Sequence, residues 1–186
     1  MLEEQSSERG FRFAALHAHG RRPEMDEVII HYMTTTGLHK YESFDINSKE
    51  IFLDLRDIAV IDLTPLIWCA KLEELNLRNN KIQSIDLSPL RKCLGLQALR
   101  LDRNLIYELD LSPLNHCIDL EEIYLTRNLF KQVDISPMFF CPRLKVLELE
   151  TSVVLIADMR LRSNGTWPKV LLDKFHRINW QVDEAS

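Results

Sequence analysis

Cys69, Cys93, Cys117 and Cys141 are the chain's only cysteines, and they stand at a uniform spacing of 24 residues. Four thiols do not fall on one period by chance, so the chain is built from an internal repeat and its other residues have to be placed in that frame. Aligned on the cysteines, Leu72-Glu-Glu-Leu75-Asn-Leu77-Arg-Asn-Asn80 is followed by Leu96-Gln-Ala-Leu99-Arg-Leu101-Asp-Arg-Asn104. Leu120-Glu-Glu-Ile123-Tyr-Leu125-Thr-Arg-Asn128 comes next, then Leu144-Lys-Val-Leu147-Glu-Leu149. The shared unit is L-x-x-L-x-L-x-x-N-x-I-x-x-I-D-L-S-P-L-x-x-C-x-x, and three full copies carry it.

The pattern Leu75-x-Leu77 and its equivalents alternates apolar and polar residues, the period of a strand. A strand recurring once per unit stacks into a parallel sheet. Asn80, Asn104 and Asn128 close these strands where the chain turns. A side-chain amide both donates and accepts, so a column of asparagines can satisfy buried backbone groups of neighbouring coils. On the return side Thr64-Pro65, Ser88-Pro89, Ser112-Pro113 and Ser136-Pro137 recur at one register. Ser or Thr is favoured as an N-cap and Pro at the first helical position, so each unit is expected to start a short helix opposite the sheet. Helices pack at about 8–10 Å and strands at about 4.8 Å, so the stack must curve with its sheet on the concave side. Cysteines on neighbouring helices are then too far apart for a disulfide, which needs Cα atoms within about 7 Å. They read as a ladder of buried, reduced thiols.

The repeated unit resembles the leucine-rich-repeat family over residues 48–150. That resemblance implies an α/β solenoid, with a curved parallel sheet inside and short helices outside. It also implies a non-catalytic role in binding a protein partner, as a regulatory or adaptor subunit. A structural repeat module of a larger signalling assembly is the alternative.

Composition sets the outer limits. A length of 186 residues suits one domain, and an apolar content of 46% can fill a core. The formal charge of −5 argues against a nucleic-acid partner, which would call for a basic stripe. Met1–Arg9 has no apolar stretch, and no apolar run is long enough for a membrane span, so a cytoplasmic, monomeric protein is expected. Residues 1–24 read as a disordered tail, residues 25–47 as an N-terminal cap and residues 151–186 as a C-terminal cap. Both caps are expected to be helical: Val28, Ile29, Tyr32 and Met33 fall at helical spacing, and Thr166 reads as the N-cap of an amphipathic helix. Trp167, Leu171, Phe175 and Trp180 are large enough to cover the last coil.

No nucleophile–base constellation and no glycine-rich phosphate loop is present, so no enzyme activity and no cofactor are expected. Asp62, Asp86, Asp110 and Asp134 share a register, and a calcium column is one reading. The competing reading is that each Asp bonds backbone N–H groups as the chain turns. A catalytic residue occurs once, whereas these recur in every coil. Function must therefore lie in positions that vary between coils on the concave face. The candidate partner-binding residues are Phe52, Asp54, Glu74, Asn76, Arg78, Arg100, Asp102, Glu122, Tyr124 and Glu148, a mixture in which the aromatics and Arg are the residue types of binding hot spots. Ala98, Val146, Glu50, Thr126 and Glu150 complete the same three columns. Cross-strand ion pairs such as Arg78 beside Asp54 and Asp102 are the alternative use of the charges.

Overall fold

The structure, a computed structural model, describes residues 26–163 and 167–182. The tail expected at 1–24 and the cap residue Thr166 lie outside that range. A five-stranded parallel sheet runs through the repeats: β3 (Glu50–Phe52), β5 (Glu74–Asn76), β6 (Ala98–Arg100), β7 (Glu122–Tyr124) and β9 (Val146–Glu148). Neighbouring strands pair with no slip, so Ile51, Leu75, Leu99, Ile123 and Leu147 stand side by side. All five point into the core and are buried. Between them the chain returns through single turns of 3-10 helix at Thr64–Trp68, Ser88–Lys92, Ser112–His116 and Ser136–Phe140. The result is a leucine-rich-repeat solenoid with its sheet on the concave side.

The asparagines bind coil to coil. Asn80 is almost fully buried; its Nδ2 donates to Leu53 O and Leu77 O, both at 2.9 Å, and its Oδ1 accepts from the N–H groups of Arg56 at 3.0 Å and Ile58 at 3.1 Å. Asn104 and Asn128 repeat the two carbonyl bonds one and two coils on, and each accepts a single N–H, from Ile82 and Ile106. The turn that aims these amides needs one left-handed residue per coil, and Leu55, Asn79, Arg103 and Arg127 supply it at φ between 56° and 59°.

The cysteines are all buried and free. Three of the thiols donate to the preceding coil: Cys93 Sγ to Leu66 O at 3.5 Å, Cys117 Sγ to Leu90 O at 3.7 Å, and Cys141 Sγ to Leu114 O at 3.5 Å. Burial, with neighbouring Cys69 and Cys117 adding to it, pushes the Cys93 thiol up to about 12. Burial raises Cys117 to about 11 and Cys141 to about 12. These groups are small hydrophobes, not nucleophiles.

One expected detail of the helical turns is corrected. Ser does not cap them: the cap position is held by Leu63, Leu87, Leu111 or Ile135, with no side-chain cap bond, and Ser or Thr is the first helical residue. The aspartate two residues earlier takes over the task. Oδ1 of Asp62, Asp86, Asp110 and Asp134 accepts the N–H of Thr64, Ser88, Ser112 and Ser136 at 2.8–2.9 Å. Asp86 and Asp110 also accept from the hydroxyls of Ser88 and Ser112. The backbone-bonding reading of the Asp column is thus the one the geometry carries. Among the described residues no group of three His, Cys, Asp or Glu side chains converges as a metal site.

The N-terminal cap is not a helix. Residues 27–45 form a hairpin of β1 (Glu27–Thr34) and β2 (His39–Asp45), with β4 (Ile58–Ile61) on the other side of β1. Val28, Ile30, Tyr32 and Thr34 are buried in strict alternation, while Ile29 is exposed. The run V-I-I-H-Y-M satisfies the helical and strand templates together. Its β-branched residues and the turn at Gly37, with φ at 80°, favour the strand. Arg56, which replaces the ladder asparagine in the first coil, pairs instead with Glu42 of β2 at 3.3 Å and ties cap to array.

The C-terminal cap is only partly helical. α1 (Lys169–Leu172) is a single turn, followed by a 3-10 turn at Phe175–Arg177. β8 (Gln132–Asp134), β10 (Val154–Asp158) and β11 (Ile178–Gln181) form a second parallel sheet that carries the solenoid past residue 150. The expected covering residues do gather there: Leu171 is buried, and Trp167 lies 5.2 Å from Phe139 of the last repeat, 5.6 Å from Phe175 and 5.5 Å from Trp180. Arg177 closes the end by donating to the carbonyls of Glu150, Thr151 and Val153. Among the described residues no helix is long and apolar enough to cross a membrane.

Candidate functional site

Alternation fixes what each concave strand displays. With Leu75 and its equivalents turned inward, the residues on either side face out, so the sheet presents three columns. Strand register places Glu50, Glu74, Ala98, Glu122 and Val146 in the first, and Phe52, Asn76, Arg100, Tyr124 and Glu148 in the second. Asp54, Arg78, Asp102, Thr126 and Glu150 follow two residues later in each coil. The ten residues singled out from the sequence therefore share one face.

They are not equivalent within it. Arg100, in the central strand, is the hub of a network. Its Nε donates to Glu74 at 2.7 Å, a second guanidinium nitrogen donates to Glu122 at 3.1 Å, and its Cζ lies 4.4 Å from the Tyr124 ring centroid. The Tyr124 hydroxyl donates to the same Glu122 oxygen at 3.1 Å. Burial disfavours the charge on Arg100, but its bonds to Glu74 and Tyr124 outweigh that and hold its pKa above the ordinary guanidinium value. Burial raises the Tyr124 pKa; Arg100 opposes it and the Glu122 carboxylate adds to it, so the phenol stays protonated as a donor. Arg78 pairs with the largely buried Asp102 at 3.0 Å, and Asn76 accepts the Arg78 N–H. Cross-strand pairing is thus what both concave arginines do, Arg78 with Asp102 and not with Asp54.

Phe52 differs: it remains 44% exposed. Glu50 on the same strand and Asp54 in the turn after it flank this ring, and their side chains take part in no hydrogen bond or ion pair among the described residues.

A further rung was not singled out in the sequence. Lys49 pairs with Glu73 at 2.8 Å and Lys145 with Glu121 at 2.6 Å, edging a shallow hollow floored by Ala98 and walled by Glu50, Glu74, Glu122 and Arg100. Its signal was the single small residue, Ala98, in a column of larger ones.

No protein-family model matches the chain, and no curated protein matches it in sequence. Solved structures do. Internalin C2 from Listeria monocytogenes is 32% identical over 53% of this chain and 40% of its own, with a TM-score of 0.44. The internalin InlF from the same organism is 19% identical over 63% of this chain and 44% of its own, also at 0.44. The chain thus spans less than half the length of either internalin. The LRR ectodomain of the receptor kinase SOBIR1 from Arabidopsis thaliana is 16% identical over 90% of this chain and 81% of its own, with a TM-score of 0.50. The SOBIR1 likeness bears on the fold alone, and it agrees with the repeat read from the chain itself. The fold is that of a leucine-rich-repeat solenoid.

Proposed function

We propose that the protein is a non-catalytic interaction module that holds a protein partner on the concave face of its five-stranded sheet, as a regulatory or adaptor subunit in the cytoplasm. One observation carries this reading: residues that build the fold recur in every coil, whereas those turned outward on the concave strands differ from coil to coil and include the exposed Phe52 and the Arg100–Tyr124 pair. Exposed aromatics on a sheet face mark contacts, and Tyr and Arg are enriched among residues that dominate binding. The face also suits a partner in size. Five strands with about three outward residues each approach one side of a standard interface of roughly 20–30 residues.

The test starts from affinity capture with the full chain as bait. Calorimetry of the captured partner against Phe52→Ala, Tyr124→Ala and Arg91→Ala then locates the site. Truncating either concave aromatic is expected to weaken binding by about 2 kcal/mol, some thirtyfold. Arg91 is exposed on the opposite side, and its loss should leave affinity unchanged. Normal binding by both folded aromatic variants, with loss in Arg91→Ala, would move the site to the convex side.

A further inference from the structure

The chain carries 28 acidic and 23 basic side chains; seven of the acidic and two of the basic stand on the three concave columns, leaving 21 of each elsewhere. The whole formal excess of negative charge therefore sits on the face proposed above for binding. Its two cations are already engaged, Arg100 by Glu74 and Glu122 and Arg78 by Asp102. A basic edge, Lys81, Arg103 and Arg127, runs along the turns beside the sheet, where Arg103 adds a second, looser pairing to Asp102 at 3.8 Å. An acidic partner would meet carboxylates with no guanidinium left to receive it, and like charges in apposition oppose docking. A cationic partner meets Glu50 and Asp54, which need no bond broken, on either side of the exposed Phe52 ring. That ring can take an apolar side chain or lie under a guanidinium.

We infer that the partner presents a basic segment, Lys- or Arg-rich with an apolar or aromatic residue among the cations, laid across the concave strands with its charges over the carboxylates and its ring against Phe52. This rests on the concave-face reading and adds the partner's chemistry to it.

The experiment selects binders to the immobilised full chain from a display library of random 12-residue peptides and reads their sequences. The enriched peptides are then titrated by fluorescence anisotropy. Enriched peptides should carry net positive charge. Their affinity should fall roughly tenfold in the Glu50→Gln, Asp54→Asn double variant and again between low and high salt, while Arg91→Ala leaves it unchanged. Neither the Glu50 nor the Asp54 carboxylate makes a hydrogen bond or ion pair in the fold, so the double variant should melt with the parent. Neutral or acidic peptides that are lost on Phe52→Ala would overturn the basic-segment inference and leave the concave face standing. Basic peptides indifferent to every concave variant would overturn the concave face itself. A selection that enriches nothing overturns both.

Discussion

Asn80 and Asn104 occupy the same place in successive coils, yet removing their side chains should cost different amounts. In Asn104→Ala the N–H of Ile82, wholly buried, loses its only partner among the described residues, because Asn104 Oδ1 at 3.2 Å supplies it. The carbonyls that Asn104 also serves keep a bond: Leu77 O still receives Asn80 Nδ2, and Leu101 O still receives Asn128 Nδ2. One orphaned donor costs about 1–3 kcal/mol. Asn80→Ala orphans more. Arg56 and Ile58 both lose their N–H acceptor, and Leu53 O loses Nδ2. Two donors and an acceptor, one donor only part-buried, come to roughly 3–5 kcal/mol, a large share of the 5–15 kcal/mol that holds a typical domain folded. Gln97 is exposed, and Gln97→Ala should shift stability by less than about 0.5 kcal/mol. Urea unfolding followed by circular dichroism, at a common m-value, measures all three. The reasoning is refuted if Asn80→Ala costs no more than Asn104→Ala, for then unpaired backbone groups are not what the ladder prevents.

Three more expectations concern the turns and the thiols. Since folding raises the Cys93 thiol from 9.0 to about 12, the stability it contributes is complete below pH 9 and is lost as pH climbs towards 12. Between pH 9 and 10.5 the unfolding free energy of the parent should drop by about 1.4 kcal/mol per pH unit more than that of Cys93→Ala, and parallel curves for the two would contradict the raised thiol. Leu55 holds φ at 58° and is 72% exposed, so Leu55→Gly relieves a left-handed backbone without losing packing and should stabilise by up to about 1 kcal/mol, read from the melting temperature. Asp86→Ala should cost about 1 kcal/mol by removing the acceptor of the Ser88 N–H, while Ser88→Ala, which keeps that bond, should cost less; the order of their urea midpoints decides the point.

The array was legible because identical demands recur. The central coils each bury an aliphatic pair, close the strand with an amide and turn through Ser-Pro, so repetition separates those positions from their neighbours. At the ends no such averaging operates. Val28, Ile29 and Ile30 are consecutive apolar residues, and the choice between helix and strand falls to β-branching and to where the solenoid needs cover. The hairpin wins because β1 can pair with β4, which extends the first coil by main-chain bonds that a helix could not offer. Ser-Pro misled for a related reason. It marks a helical start correctly, but the donor it signals is satisfied by an aspartate two residues upstream that the same alignment had already placed.

The concave face shows where pattern stops and geometry begins. Alternation and period gave the register of the three columns, since both are backbone properties, but not the burial of Ala98 and Asp102 within them. They could not tell which charged side chains would engage one another, because that depends on reach and rotamer across strands. Arg100, by its type and central position, looks like a group waiting for a partner, and it is the one most fully occupied within the chain, held by Glu74, Glu122 and the Tyr124 ring. Its part in the proposed binding face is then indirect: it orients the Tyr124 ring and spaces two carboxylates that would otherwise repel across the strands. Phe52, Glu50 and Asp54 gather an exposed ring and two carboxylates with unmet capacity at the N-terminal end of the sheet, against the single carboxylate of Glu148 at the other. Contact energy should accordingly be weighted towards the N-terminal end of the sheet, with the middle serving as a preorganised floor.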